Sequence, residues 1–220
     1  MVALILSMPP PREFDDDFRK QFRRLLIYRR DVRRFCPTPL PAGLLEELIG
    51  LVSLSPSVGL SEPWRFVQVT STEIRSEIRA EFERANQEAL AGYSGDRAAM
   101  YARLKLAGLD CAPVHLAVFA DRGVSKGSGL GRQTMPEMLE YSVVAAITTL
   151  WLSARAHGVG LGWVSILDPK AVSQILMVDH EWRLVAYLCL GYPENESDVP
   201  ELQREGWETR HHGGLALLHR

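Results

Sequence analysis

Apolar residues recur at helical spacing at Phe14, Phe18, Phe22, Leu25 and Leu26, which predicts an amphipathic helix over residues 14–29. Prolines at 37, 39 and 41 then force an extended crossing. Leu44, Leu45, Leu48, Ile49 and Val52 mark a second helix over 42–53, running into the small-residue loop Ser55-Pro56-Ser57-Val58-Gly59. Residues 64–69 form a predicted strand. Residues 72–107 are charged and helical, and their break at Gly92-Tyr93-Ser94-Gly95 makes them the candidate lid. A near-continuous apolar run over 112–120 predicts a buried strand, followed by a loop with glycines at 123, 127, 129 and 131.

The most apolar helix is predicted over 137–157, ending at Gly158 as its C′ residue. A short strand over 161–167 follows. Asp168-Pro169 then supplies an N-cap and an N1 proline for a helix reaching about Leu176, and residues 184–190 form a last apolar strand. Helices separating a few strands imply a layered α+β or α/β domain, and periodicity leaves strand order and direction open. Residues 1–13, with Pro9-Pro10-Pro11, are expected to be a flexible segment ahead of one domain over 14–220.

Composition narrows the partners. The chain has 220 residues, 46% of them hydrophobic, and 27 acids against 25 Lys and Arg, for a formal charge of -2. Such a balance offers no global attraction to nucleic acid or an anionic membrane, so any anion must be held by a local cluster. Cys36, Cys111 and Cys189 are far apart, lack metal-ligand spacing and fit a reducing cytoplasm. No apolar stretch is long enough to span a bilayer. His115, His157, His211 and His212 have no ligand partner at metal spacing, so no metal is expected.

The candidate chemistry gathers in Tyr28-Arg29-Arg30-Asp31-Val32-Arg33-Arg34-Phe35. Guanidinium forks suit phosphate oxygens, and Arg29 and Arg33 would share a helix face if the helix continued. A solvated basic helix end accounts for the same residues. The glycine-rich loop follows a strand, yet GxGxxG fails because position 132 is Arg132, so it is not expected to cradle a dinucleotide. Tyr28, Trp64 and Trp151 are expected to be core aromatics.

Arg29-Arg30-Asp31-Val32-Arg33, Ser55-Pro56-Ser57 leading to Glu62-Pro63-Trp64, and Gly158 to Gly162 together resemble the nitroreductase-type flavoprotein family. The likeness runs over residues 14–212. Asp31, where many relatives carry serine, is similar to a branch that fragments its own flavin. So are Ser57-Val58-Gly59-Leu60-Ser61, Gly131 to Glu137, and Gly162 to Leu167. Glu62 departs from the glutamine typical of that branch. The resemblance implies a nitroreductase-like α+β fold with a mixed, mainly antiparallel sheet flanked by helices, in a homodimer with FMN at the interface. It implies an oxidoreductase that converts reduced FMN and O2 into 5,6-dimethylbenzimidazole, the lower ligand of cobalamin, and erythrose 4-phosphate. A separate flavin reductase is the implied source of reduced FMN.

By the same resemblance, Arg29, Arg30, Val32, Arg33 and Arg210 match positions around the FMN phosphate and ribityl chain, and Ser57 a flavin-contacting loop position. Ser165 and Leu167 match the segment along the ring, and Leu104 is placed as a lid residue over it. Asp31 and Ser165 are the expected catalytic residues. Asp31 would act as a base beside the ribityl chain, kept ionised by its arginines, and Ser165 would donate a hydrogen bond near flavin N5. A salt bridge of Asp31 with Arg30 or Arg34 is the structural alternative. Two other functions fit the same motifs: an NAD(P)H-dependent nitro- or flavin reductase with bound FMN, and a flavin-storage module.

Overall fold

The computed structural model describes residues 13–103, 108–210 and 217–220. Leu104, His211, His212 and residues 1–12 lie outside them. Helix α1 (Asp16–Tyr28) opens on the Asp15 side chain, which accepts the Phe18 N–H at 2.7 Å. Helix α2 (Leu44–Val52) and a 3-10 turn (Val58–Leu60) lead to β1 (Trp64–Gln68). Helices α3 (Thr72–Ala91), α4 (Gly95–Arg103) and α5 (Gly108–Cys111) precede β2 (Val114–Asp121). Then come α6 (Met138–Ala156), β3 (Gly160–Val164), α7 (Pro169–Ile175), β4 (Trp182–Gly191) and α8 (Glu201–Arg204). Asp168 caps α7 as its sequence requires, accepting from Lys170 N at 2.7 Å.

The four strands form one sheet in the order β1-β2-β4-β3, every adjacent pair antiparallel. A parallel bridge between Asp31 and Leu161 on the edge strand β3 makes the sheet mixed. Alternation along the strands then sorts side chains into two layers. Leu116, Val118, Leu188 and Leu190 face α2 and α6, where Leu48, Val143, Ile147 and Leu150 close the larger core. Ala117, Phe119, Tyr187 and Cys189 face the other way, onto Ile78 of α3, Leu109 of α5 and Val172 of α7. Helix α6 is the central helix anticipated from its apolarity: Leu139, Val143, Ala146, Ile147, Leu150 and Ala154 are buried at i, i+3, i+4 spacing. No described helix is long and apolar enough to cross a membrane.

The glycine-rich loop has a packing role. Gly127, at φ +82°, lies so close to the 58–60 turn that a Cβ on it would stand 2.6 Å from the Gly59 carbonyl oxygen. Its glycines thus admit one loop against another.

Candidate functional site

Sequence spacing suggested that Arg29 and Arg33 would share a helical face, but α1 stops at Tyr28 and the backbone turns extended at Arg29 (φ -71°, ψ 109°). Arg29, Asp31 and Arg33 therefore line one groove together with Arg30 without sharing a helical face. The segment lies along the exposed edge of β3, with Val32 N donating to Leu161 O at 3.0 Å. Past it, Phe35 is fully buried and Cys36 N donates to Tyr192 O at 2.8 Å. Two glycines in β3 make this close approach possible. A Cβ on Gly160 would stand 2.7 Å from Val32 Cγ2, and one on Gly162 would overlap the Val32 carbonyl oxygen.

Asp31 is held by the strand it lies on. Its Oδ1 accepts the Trp163 N–H at 2.8 Å, leaving Oδ2 directed to Arg33, whose Nε is 3.8 Å away. The Arg33 side chain is only 12% exposed, against 40% for that of Asp31. Although part of the Asp31 side chain faces the groove, its carboxylate lies deep among protein atoms, and this desolvation pushes its pKa up. The Trp163 N–H, Arg33 and Arg29 oppose the shift, and Glu201 adds to it. The arginines favour the ionised form, the sense expected of them, and burial outweighs them. The ion pair of Asp31 is with Arg33 rather than with Arg30 or Arg34, and Arg30 instead donates to the backbone carbonyls of Arg29 (2.9 Å) and Asp198.

Around Asp31, arginines outnumber the acids Asp31 and Glu201 in the groove they line together. The Arg29 guanidinium lies 4.7 Å over the Trp151 ring, and the Trp151 indole N–H donates to Arg30 O at 3.2 Å. Trp151, expected only as a core aromatic, is thus also the platform for Arg29. Burial lowers the pKa of both Arg29 and Arg30, and the nearby charge of Arg210 lowers them further. Arg30 Nε is buried with no hydrogen-bond partner among the described residues. A groove of about 120 Å³ is lined by Arg29, Arg30, Asp31, Arg33, Glu201 and Arg210. A second, of about 160 Å³, lies beside it and adds Val32, Arg34, Asn195, Ser197 and Arg204. Three guanidiniums held against their own repulsion, one with an orphaned donor, fit a multiply charged oxyanion such as a phosphate.

The remaining expected residues stand elsewhere in the single chain. Ser57 Oγ accepts the Glu62 N–H at 3.1 Å, and Val58 N donates to Ser142 Oγ at 3.0 Å. Glu62 takes a left-handed backbone (φ +46°) and pairs with Lys126. The Ser57 loop thus meets α6 at Ser142, whereas Arg29 meets it at Trp151, nine residues or about 13 Å further along the axis. Ser165 is exposed two residues beyond Trp163. Leu167 packs at the edge of the Ile78–Val172 core. The sequence reasoning missed the Trp163 N–H, Trp151 as a platform and Glu201. The pair Gly160 and Gly162 was the available signal, because glycines within a strand mark where another backbone comes close.

Comparison with known proteins follows the same lines. A profile described as the Nitroreductase family matches residues 26–192. A 5,6-dimethylbenzimidazole synthase from Rhodospirillum rubrum is 50% identical over 90% of this chain and 93% of its own. Another from Rhodobacter capsulatus is 45% identical over 89% and 94%. Among solved structures, oxidized iodotyrosine deiodinase bound to FMN and 3-iodo-L-tyrosine superposes with a TM-score of 0.71 at 21% identity, covering 90% of this chain and 98% of that one. The sheet with its edge-added segment, the profile match over most of the chain and the half-identical relative place this chain in the nitroreductase family.

Proposed function

We propose that this protein is an oxidoreductase that fragments reduced FMN with O2, yielding 5,6-dimethylbenzimidazole and erythrose 4-phosphate. The carrying observation is the juxtaposition of Arg29, Arg30 and Arg210 with the carboxylate of Asp31 in one groove. The two relatives named as 5,6-dimethylbenzimidazole synthase support the same reading. When bound, reduced FMN supplies both the electrons for O2 and the carbon skeleton of the product.

The chain's own residues divide the remaining work. Arg29, Arg30 and Arg210 bind the phosphate, and stacking on Trp151 fixes the Arg29 fork. Arg33 holds Asp31 in place. With Oδ1 occupied by the Trp163 N–H, Oδ2 of Asp31 is the atom that accepts a proton from the ribityl side. Burial raises its proton affinity, which strengthens it as a base. Ser165 donates a hydrogen bond at the ring, and Val32, Ser57, Leu104 and Leu167 complete the flavin contacts.

Because Ser57 and the arginines lie apart in one chain, the site is completed by a second copy in a homodimer. Exposed Phe14 just ahead of α1 and Phe18, Phe22 and Leu26 along it, with exposed Tyr141 and Val144 on α6, support such a contact. Reduced FMN comes from a separate flavin reductase, and the reaction is cytoplasmic. Asp31→Asn tests the assignment: it should still bind FMN, because the phosphate clamp is intact, and form no 5,6-dimethylbenzimidazole. Product at the wild-type rate from that variant would refute the role of Asp31.

A further inference from the structure

Trp207 sits in the C-terminal segment, three residues before Arg210, and its indole packs on residues more than a hundred positions away in sequence. Helix α8 ends at Arg204, and Trp207 N donates back to Leu202 O at 2.8 Å, which fixes the turn that carries the segment onward. One arginine of α4 grips this tryptophan twice. Arg97 places its guanidinium 4.8 Å over the indole and donates from Nη1 to the Trp207 carbonyl oxygen at 2.7 Å. Tyr93 meets the same indole edge-on at 5.7 Å, and Tyr101 lies 6.2 Å away while stacking on Tyr93 at 4.9 Å. The aromatic cluster thus joins residues 93–103, the part of the chain with the glycine break, to the segment bearing Arg210. Arg210 in turn lines the groove with Arg29 and Arg30.

We infer that Trp207 is a positioning residue: it couples the 93–103 segment to Arg210, so that binding a phosphate at the arginine groove and stabilising that segment are one event. The inference rests on the flavin reading above. The physical reason is linkage. A ligand that favours one placement of Arg210 also favours whatever is packed against the chain three residues earlier, and the coupling runs equally in both directions. Trp207 does not itself line the groove; it anchors the chain between Leu202, which lines the groove and accepts its N–H, and Arg210, through which the inferred effect on the phosphate passes.

The experiment is a double-mutant cycle on FMN affinity, read by flavin fluorescence, with hydrogen exchange of residues 93–103 as the second readout. Trp207→Ala should weaken FMN binding about as much as Arg210→Ala, by about tenfold. The double variant should lose little more than either alone, because both act through the same contact. FMN should slow exchange over 93–103 in the wild type, riboflavin, which lacks the phosphate, should do so far less, and Trp207→Ala should abolish the FMN effect. Trp207→Phe, which keeps an aromatic face for Arg97, should restore it. Arg97→Leu leaves the tail's own sequence intact and should uncouple in the same way, which guards against a Trp207→Ala protein that merely loses its turn. Additive losses in the double variant, equal protection by riboflavin and FMN, or protection surviving in both Trp207→Ala and Arg97→Leu would each overturn the inference while leaving the flavin reading intact. A wild-type protein that binds no FMN would overturn both.

Discussion

Gly162→Ala tests how the Asp31 segment is positioned. A methyl at this position would overlap the carbonyl oxygen of Val32, a backbone atom that cannot swing aside as the end of a side chain can. Residues 31–32 must then retreat from β3. The retreat stretches the Val32 N to Leu161 O bond (3.0 Å) and the Trp163 N–H to Asp31 Oδ1 bond (2.8 Å). Losing a neutral backbone bond costs about 1 kcal/mol and one to a carboxylate about 2 kcal/mol. A destabilisation of about 3 kcal/mol is therefore expected, equivalent to a Tm lowered by roughly 10 °C in a domain of this size. The functional loss should be larger than the thermal one, since displacing a reacting group by about 1 Å can cost about a hundredfold in rate. Thermal melts, FMN titration and product yield read the three effects. Gly50→Ala is the control: it lies in α2 with nothing within 4 Å of an added Cβ and should stabilise by roughly 0.5–1 kcal/mol. Unchanged Tm, FMN affinity and yield in Gly162→Ala would refute the argument that the glycine seats the segment.

Other expectations follow from the same geometry. His115 is buried, with its Nδ1 3.0 Å from Tyr187 Oη, and desolvation pushes its pKa down to about 4. A depressed folded pKa means the unfolded chain binds the proton first, so stability should be full above about pH 6.5 and fall by about 3 kcal/mol as pH drops to about 4. Urea titrations across that range should show the loss in the wild type and a flatter profile in His115→Asn; equal slopes would contradict the assignment. Arg29→Lys keeps the charge but loses the planar stack on Trp151, and should weaken FMN binding by about tenfold in a fluorescence titration. Phe18→Asp together with Phe22→Asp should shift the protein from dimer to monomer in light scattering, with loss of FMN binding, if the exposed α1 stripe meets a second copy. Ser165→Ala should lower product yield with FMN affinity little changed, and an unchanged yield and turnover would remove Ser165 from the chemistry.

Much of the fold was legible because local signals agreed. The apolar stripe of α6, the Asp168-Pro169 cap and the apolar runs of β2 and β4 each state their element within a few residues. The arginine cluster and Asp31 were also legible as residues of interest. Their geometry was not, because it depends on a backbone pairing between residues 31–32 and β3, some 130 positions apart in the chain. The decisive partner of Asp31 is a main-chain N–H, which has no side-chain signature. Burial of that carboxylate likewise arises from tertiary packing, so counting nearby arginines left out the largest influence on its pKa. Trp207 was hidden for the same reason: in a polar tail its role depends on Arg97, 110 residues away.

The most direct test of the account is to expose the purified protein to reduced FMN in air and identify the small-molecule products by mass spectrometry. The account predicts 5,6-dimethylbenzimidazole in amounts that scale with enzyme and vanish in Asp31→Asn. Intact oxidised FMN as the sole product would contradict it, and NAD(P)H oxidation with a nitroaromatic acceptor would then identify an ordinary flavin-dependent reductase on the same fold.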